Sequence, residues 1–269
     1  MPGLLELSTR DFVTTIRMNR PPVNALTAEL QEELVDRLST LADDDGTRVV
    51  VLSSAIDRYF MAGADIKMMG GEDGFDRENP ATLERIAQMS RRSQAAFTQV
   101  EHFPKPLIAA INGHALGGGC ELALVCDYRL MIDDGRSTIG LTETSLGLIP
   151  GAGGTQRLPR LVGQSRATEM IFEARRLKAP EALAIGLVNA VLPPDSFQAA
   201  VEERAASLAH SAPIALRLAK EAIIAGMERS PGKAYEVEAE NFGRTAMTED
   251  AAIGIMSFVA KQRPDFTGR

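Results

Sequence analysis

Cysteine is nearly absent: the 269-residue chain has two, Cys120 and Cys126. A pair so close together builds no disulfide framework, and no zinc-ligand spacing surrounds it. Both are expected as small packing residues, in a chain that a reducing compartment suits. Histidines number three, without triad spacing, and aromatics make up 5%. Positive charge is in deficit: the formal net charge is −7 and the sequence pI is near 5.2. That balance argues against a general nucleic-acid binder. Among the uncharged runs, 106–120 is too short and too rich in glycine for a membrane span of about 20 residues. The opening Met-Pro-Gly-Leu-Leu-Glu-Leu has neither a charged-then-apolar signal pattern nor an arginine-rich transit pattern. The expectation is a cytoplasmic protein. What is present is a globular composition, 45% hydrophobic and 24% charged, long enough for one large domain or a core with an appendage.

The most informative stretch is Pro-Leu-Ile-Ala-Ala-Ile-Asn-Gly-His-Ala-Leu-Gly-Gly-Gly-Cys-Glu-Leu-Ala, from Pro106 to Ala123. Residues 107–111 read as a buried strand, Asn112-Gly113 breaks it, and a helical run is expected over 120–126. Glycines 117–119 would let a substrate approach the backbone, and N–H groups at the start of a helix stabilise negative charge. Glu121 stands in the first turn. The dinucleotide fingerprint is excluded because Leu122 occupies the place of its third glycine, and the Gly-Lys-Ser/Thr of a phosphate loop is absent. Two readings remain for these residues: a tight turn closed by a capping acid, or an acid beside an anion hole.

A second acid follows in Gly-Leu-Thr-Glu-Thr-Ser-Leu-Gly-Leu-Ile-Pro-Gly-Ala-Gly-Gly-Thr-Gln-Arg-Leu-Pro, from Gly140 to Pro159. Glu143 sits there in mostly uncharged surroundings. Two buried carboxyl groups close together cannot both ionise freely, so one can hold a proton while the other accepts one. Ser145 does not make a nucleophile elbow, because Glu143 replaces its first glycine.

Ala-Leu-Gly-Gly-Gly-Cys-Glu-Leu-Ala at 115–123, Ile-Pro-Gly-Ala-Gly-Gly-Thr-Gln-Arg-Leu-Pro at 149–159 and Met-Ala-Gly-Ala-Asp-Ile-Lys at 61–67 together resemble the crotonase, or enoyl-CoA hydratase/isomerase, superfamily. The resemblance runs from Arg20-Pro-Pro-Val-Asn-Ala-Leu to Lys261-Gln-Arg-Pro-Asp-Phe. It implies an α/β fold, a crotonase-like spiral of ββα units, with a helical C-terminal trimerisation part. The implied reaction is hydration of a trans-2-enoyl-CoA to a 3-hydroxyacyl-CoA. Glu121 and Glu143 would be catalytic, the N–H groups of Ala64 and Gly118 would form the oxyanion hole, and Gly151 would contact the water. Ala25, Ala62, Ala64, Asp65, Ile66, Lys67, Leu116 and Gly117 would line the acyl-CoA. Phe258 and Lys261 match an aromatic and a lysine that hold CoA in the family. An ordinary core place for Phe258 and a helix-end place for Lys261 fit equally well. The resemblance implies no metal or other cofactor, and a homotrimer or a dimer of trimers as the assembly.

The chain departs from the family pattern twice. The 133–138 turn is about two residues longer than usual, and Leu141-Thr142 stands where many short-chain hydratases carry Gln-Pro. Leu-x-Glu resembles the methylglutaconyl-CoA hydratase branch, which makes that enzyme a rival, beside an enoyl-CoA isomerase. Some members of that branch bind RNA through a basic first helix. Here the helix over 29–45 carries Glu29, Glu32, Glu33 and Asp36, and phosphate contact needs Lys and Arg.

Strands are expected at 4–7, 12–18, 49–53, 107–111, 128–132 and 188–192. Thr27 should cap the first helix, whose Leu30, Leu34, Leu38 and Leu41 share one face. A loop is expected at 68–80 and a helix over 82–100. Short helices are read at 169–172 and 179–185. After Pro193-Pro194 the pattern is helical, at 195–210, 213–227, 231–246 and 249–262. The expected division is a catalytic core at 1–194 and a helical part at 195–269.

Overall fold

The computed structural model describes residues 3–65 and 79–269. The expected loop at 68–80, all but its last two residues, lies outside the described residues, as do Ile66 and Lys67.

The chain opens with strands β1 (Leu5–Arg10) and β2 (Val13–Met18), an antiparallel hairpin. Helix α1 (Ala28–Ala42) follows. Thr27 caps it by accepting the Leu30 N–H at 3.3 Å, and Leu30, Leu34, Leu38 and Leu41 are buried as their spacing requires. The chain then repeats a unit of two strands and a helix. Strands β3 (Val49–Ser54) and β4 (Tyr59–Met61) precede helix α2 (Pro80–Glu101). Strands β5 (Leu107–Ile111) and β6 (His114–Leu116) precede helix α3 (Gly118–Leu124). Strands β7 (Tyr128–Ile132) and β8 (Thr138–Gly140) precede a 3-10 turn (Glu143–Leu146) and helix α4 (Gly154–Val162). Helix α5 (Gln164–Phe172), strand β9 (Leu177–Lys178), helix α6 (Ala179–Ala184) and strand β10 (Ala190–Leu192) complete this part.

Each unit sends its first strand to one sheet and its second strand to another. Among the described residues the larger sheet has the order β1-β2-β3-β5-β7-β10, and the smaller has β4-β6-β8-β9. From β2 onward the larger sheet is parallel, so both faces must be covered. Alternation along the strands does this. Val50, Leu52, Leu107, Ala109 and Ile111 face the core that holds the α1 leucines. Val49, Val51, Ile108, Ala110 and Leu130 face Phe197, Val201, Ala205 and Ala209. The latter four lie on α7 (Phe197–Ala209). Helices α8 (Pro213–Glu228), α9 (Pro231–Ala246) and α10 (Glu249–Ala260) follow.

Several local outcomes differ from expectation; helix α5, for one, begins at Gln164, five residues before the expected start at 169. Helix α3 begins two residues earlier than the apolar run suggested, because Gly118 and Gly119 already have helical geometry. Helix α4 forms although it contains Pro159. That proline forgoes one N–H bond, and the helix is short enough to carry the loss.

Candidate active site

The smaller sheet delivers the site. Its β4, β6 and β8 are parallel, with Met61 beside Ala115, and Leu116 beside Gly140. The segments that leave their C-terminal ends therefore emerge side by side. After β4 come Ala62 to Asp65; after β6, Gly117 and the start of α3; after β8, Leu141 to Glu143. The C-terminal ends of parallel strands are where ligands bind in open α/β sheets.

The first two segments bring backbone donors together. A Cβ built on Gly118 would lie 3.7 Å from the Ala64 nitrogen. Leu26 N–H donates to Gly63 and Asp65 N–H donates to Leu26. These bonds hold the 63–65 backbone while leaving the Ala64 N–H without a described partner. The Gly118 N–H, at the first turn of α3, is likewise not spent on a described residue. Gly117 enters the helix with φ 51° and ψ −121°, a conformation open only to glycine. Gly119 is required for space, because a Cβ there would collide with the Met61 carbonyl.

The two glutamates converge on the same place. Glu121 is 3% exposed. Its Oε1 accepts the N–H groups of Ala152 and Gly154, both at 2.8 Å. Burial pushes its carboxyl pKa up, while these two bonds and the Arg157 charge oppose the rise. Glu143 lies against Gly117: a Cβ on that glycine would be 2.9 Å from Glu143 Oε1. Glu143 Oε2 is buried and has no hydrogen-bond partner among the described residues. Burial first, and then the neighbouring Glu121, push the Glu143 carboxyl up to about 7. The environments thus differ in kind. Glu121 is held by donors that favour its charged form, and Glu143 is placed to hold a proton up to about pH 7.

The remaining expected site residues fall into two groups. Ala62, Ala64, Leu116 and Gly117 sit at the strand ends beside the glutamates. Ala25 lies next to Leu26, its carbonyl accepting from Arg20 at 3.3 Å. The Asp65 carboxylate is not free toward a ligand or a cap: Arg20 engages it at 2.9 Å. Gly151 opens the loop whose next residues hold Glu121. Phe258 and Lys261 stand at the end of α10, with no described contact to the glutamate pair. Phe258 is 85% exposed, so the core place open to it on helical spacing is not the one it takes. Lys261 ends the helix in left-handed geometry with φ 54°.

Sequence reading did not find the donors to Glu121, the N–H groups of Ala152 and Gly154. The glycine cluster at 151–154 was their only signal. It also missed Ser90, Gln94 and Arg157 behind that loop, which on sequence are polar positions of two helices.

A family model described as Enoyl-CoA hydratase/isomerase matches residues 8–269. The chain is 35% identical over 264 residues to a crotonyl-CoA hydratase of Syntrophomonas wolfei, covering 98% of this chain and 97% of that one. It is 37% identical over 266 residues to a 2,3-dehydroadipyl-CoA hydratase of Escherichia coli, covering 98% and 99%. The crystal structure of an enoyl-CoA hydratase from Bacillus anthracis superposes with a TM-score of 0.88 at 38% identity, covering 99% of this chain and all of that one.

Proposed function

The chain belongs to the enoyl-CoA hydratase/isomerase family, and on that premise we propose that it is an enoyl-CoA hydratase, adding water reversibly and syn across a trans-2-enoyl-CoA. The observation that carries this reading is the convergence of two unlike carboxyl groups on one pair of unspent backbone N–H groups. An isomerase shuttles one proton and needs one acid; two acids suit the delivery of both parts of water.

The N–H groups of Ala64 and Gly118 hold the thioester oxygen. As oxygen adds at C3, charge moves onto that atom, and such a donor is typically worth about 10²–10³ in rate. Glu121 takes the proton of the attacking water, helped by the Ala152 and Gly154 donors that stabilise its charge. Glu143 gives its proton to C2. The pair is coupled, so the two acidities belong to both residues together. Gly151 N–H completes the water site. The scheme calls on no metal or redox cofactor, since carboxyl groups make both proton transfers.

Ala62, Leu116 and the 63–67 backbone are assigned to the acyl-CoA, with Phe258 and Lys261 at its nucleotide end. The exposed Phe258, Met256 and Val259 of α10 suit burial by a neighbouring subunit, in a homotrimer or a dimer of trimers. The cytoplasm is the proposed compartment. Buried, unpaired cysteines fit it, and no helix of the described residues is long and apolar enough to cross a membrane.

A branched or acidic acyl group, as in 3-methylglutaconyl-CoA, is the second reading. Leu141-Thr142 before Glu143 favours it, and one relative acts on a dehydroadipyl thioester. The test of the common mechanism is turnover by Glu121→Gln and Glu143→Gln. Each is expected to lose at least about 10²-fold in kcat, as removal of a proton-transfer group does, with an unchanged fold by circular dichroism. Near-full activity in both would end the proposal.

A further inference from the structure

The peptide that grips Glu121 is itself gripped from behind. Ala152 N–H, the donor to Glu121, and the Gly151 carbonyl belong to one planar peptide unit. The carbonyl end accepts the Ser90 hydroxyl at 2.6 Å and the Gln94 side-chain amide at 3.1 Å. Gln94 also donates to Ser90 at 3.1 Å. The next peptide is held by the same helix, less directly. Arg157 donates to the Ala152 carbonyl at 3.1 Å. Glu101 and Thr98 in turn fix Arg157, at 2.7 Å and 3.2 Å. Ser90, Gln94, Thr98 and Glu101 recur at steps of four, four and three along α2, which puts them on one face. Two of these side chains, Ser90 and Gln94, bond the loop directly, and the other two reach it through Arg157.

We propose that Ser90, supported by Gln94, is a positioning residue for Glu121, acting through the Gly151–Ala152 peptide. The inference rests on the hydratase reading for the role of Glu121 as base. Two effects follow from the geometry. Donors on the carbonyl fix the peptide plane, and so the direction of its N–H. They also polarise the peptide, and hydrogen bonds in a chain strengthen one another by roughly 10–30%. Both effects favour the ionised form of Glu121. Besides burial, its acidity is set by the Gly154 N–H and by Arg157, whose charge Glu101 partly neutralises; Glu143 and Cys120 also face it. None of these is altered by a change at Ser90.

The test uses the full chain as Ser90→Ala/Gln94→Leu, with Ser90→Thr as the variant that keeps the hydroxyl. Glu121 is followed by carbon-13 titration, its signal assigned by loss in Glu121→Gln, beside kcat, KM and thermal unfolding. In the double variant the Glu121 pKa is expected to rise by about half a pH unit. The acid limb of kcat/KM should move the same way, and kcat should fall about tenfold for a displaced catalytic group. KM should stay within about twofold, since no substrate contact is removed. Ser90→Thr should restore all three. A folded double variant whose Glu121 titrates as in the wild type, or whose kcat loss comes without a shifted pH limb, would overturn the proposal. The titration needs no turnover. A wild type inert toward enoyl thioesters would therefore end the hydratase reading, while the shift of Glu121 would still decide whether the peptide transmits the Ser90 bond.

Discussion

Glu143 holds its proton up to about pH 7, first because its carboxyl is buried and then because Glu121 is an acid beside it. The second cause can be removed alone. Glu121→Gln deletes the repelling charge, so the Glu143 pKa should fall below its value of about 7, as carbon-13 titration would show. A Glu143 pKa that stays fixed would mean that burial alone sets it. The same shift has a consequence for stability. The folded pKa lies above the unfolded value of 4.5, so the native state binds this proton more tightly than the unfolded chain. That contribution is complete at low pH and is lost as pH climbs from 4.5 through about 7. Glu143→Gln removes the penalty. It should unfold later than the wild type at pH 8, by up to about 3 kcal/mol, with the gap closing toward pH 5. Urea unfolding at the two pH values measures it, and a gap of equal size at both would contradict the assignment.

At the scale of elements, the site depends on how closely α3 approaches the end of β4. Gly119→Ala drives a Cβ into the Met61 carbonyl and cannot be relieved by a rotamer change. It should cost about 1–3 kcal/mol of stability, as overpacking does. Turnover should fall as well, because Gly118 and Ala64 are pushed apart. Among the described residues Gly151→Ala meets the Ser90 hydroxyl alone, at 3.7 Å, and should unfold at the wild-type temperature. A thermal melt of the two variants side by side checks the contrast.

The same approach explains what the sequence could and could not reveal. The larger sheet was readable from long apolar strands bounded by turns, and α1 from its leucine stripe and Thr27 cap. The smaller sheet was not. Strands β4, β6, β8 and β9 have two or three residues each, too few for an alternation to appear. Glu121 and Glu143 were visible as acids in apolar settings. The loop donors to Glu121 were not, because an N–H group carries no side-chain signature.

At the scale of the whole molecule, one surface is apolar. Phe242, Met247, Ile255, Met256, Phe258 and Val259 are each at least two-thirds exposed on α9, α10 and the turn between them. Apolar exposure on that scale marks an interaction surface. Light scattering should give three or six times the 28.9 kDa chain mass, and Met256→Asp with Val259→Asp should lower it to a single chain. A monomeric wild type would contradict the assembly.

Hydration by the glutamate pair is visible on the thioester substrates themselves. The most direct measurement is loss of 2-enoyl thioester absorbance with crotonyl-, decenoyl- and 3-methylglutaconyl-CoA, wild type beside Glu143→Gln. The wild type should hydrate the straight-chain esters, and the variant should not. Turnover of the methylglutaconyl ester alone would select the second reading. Absence of turnover on all three, or turnover undiminished in Glu143→Gln, would rule out hydration by this pair.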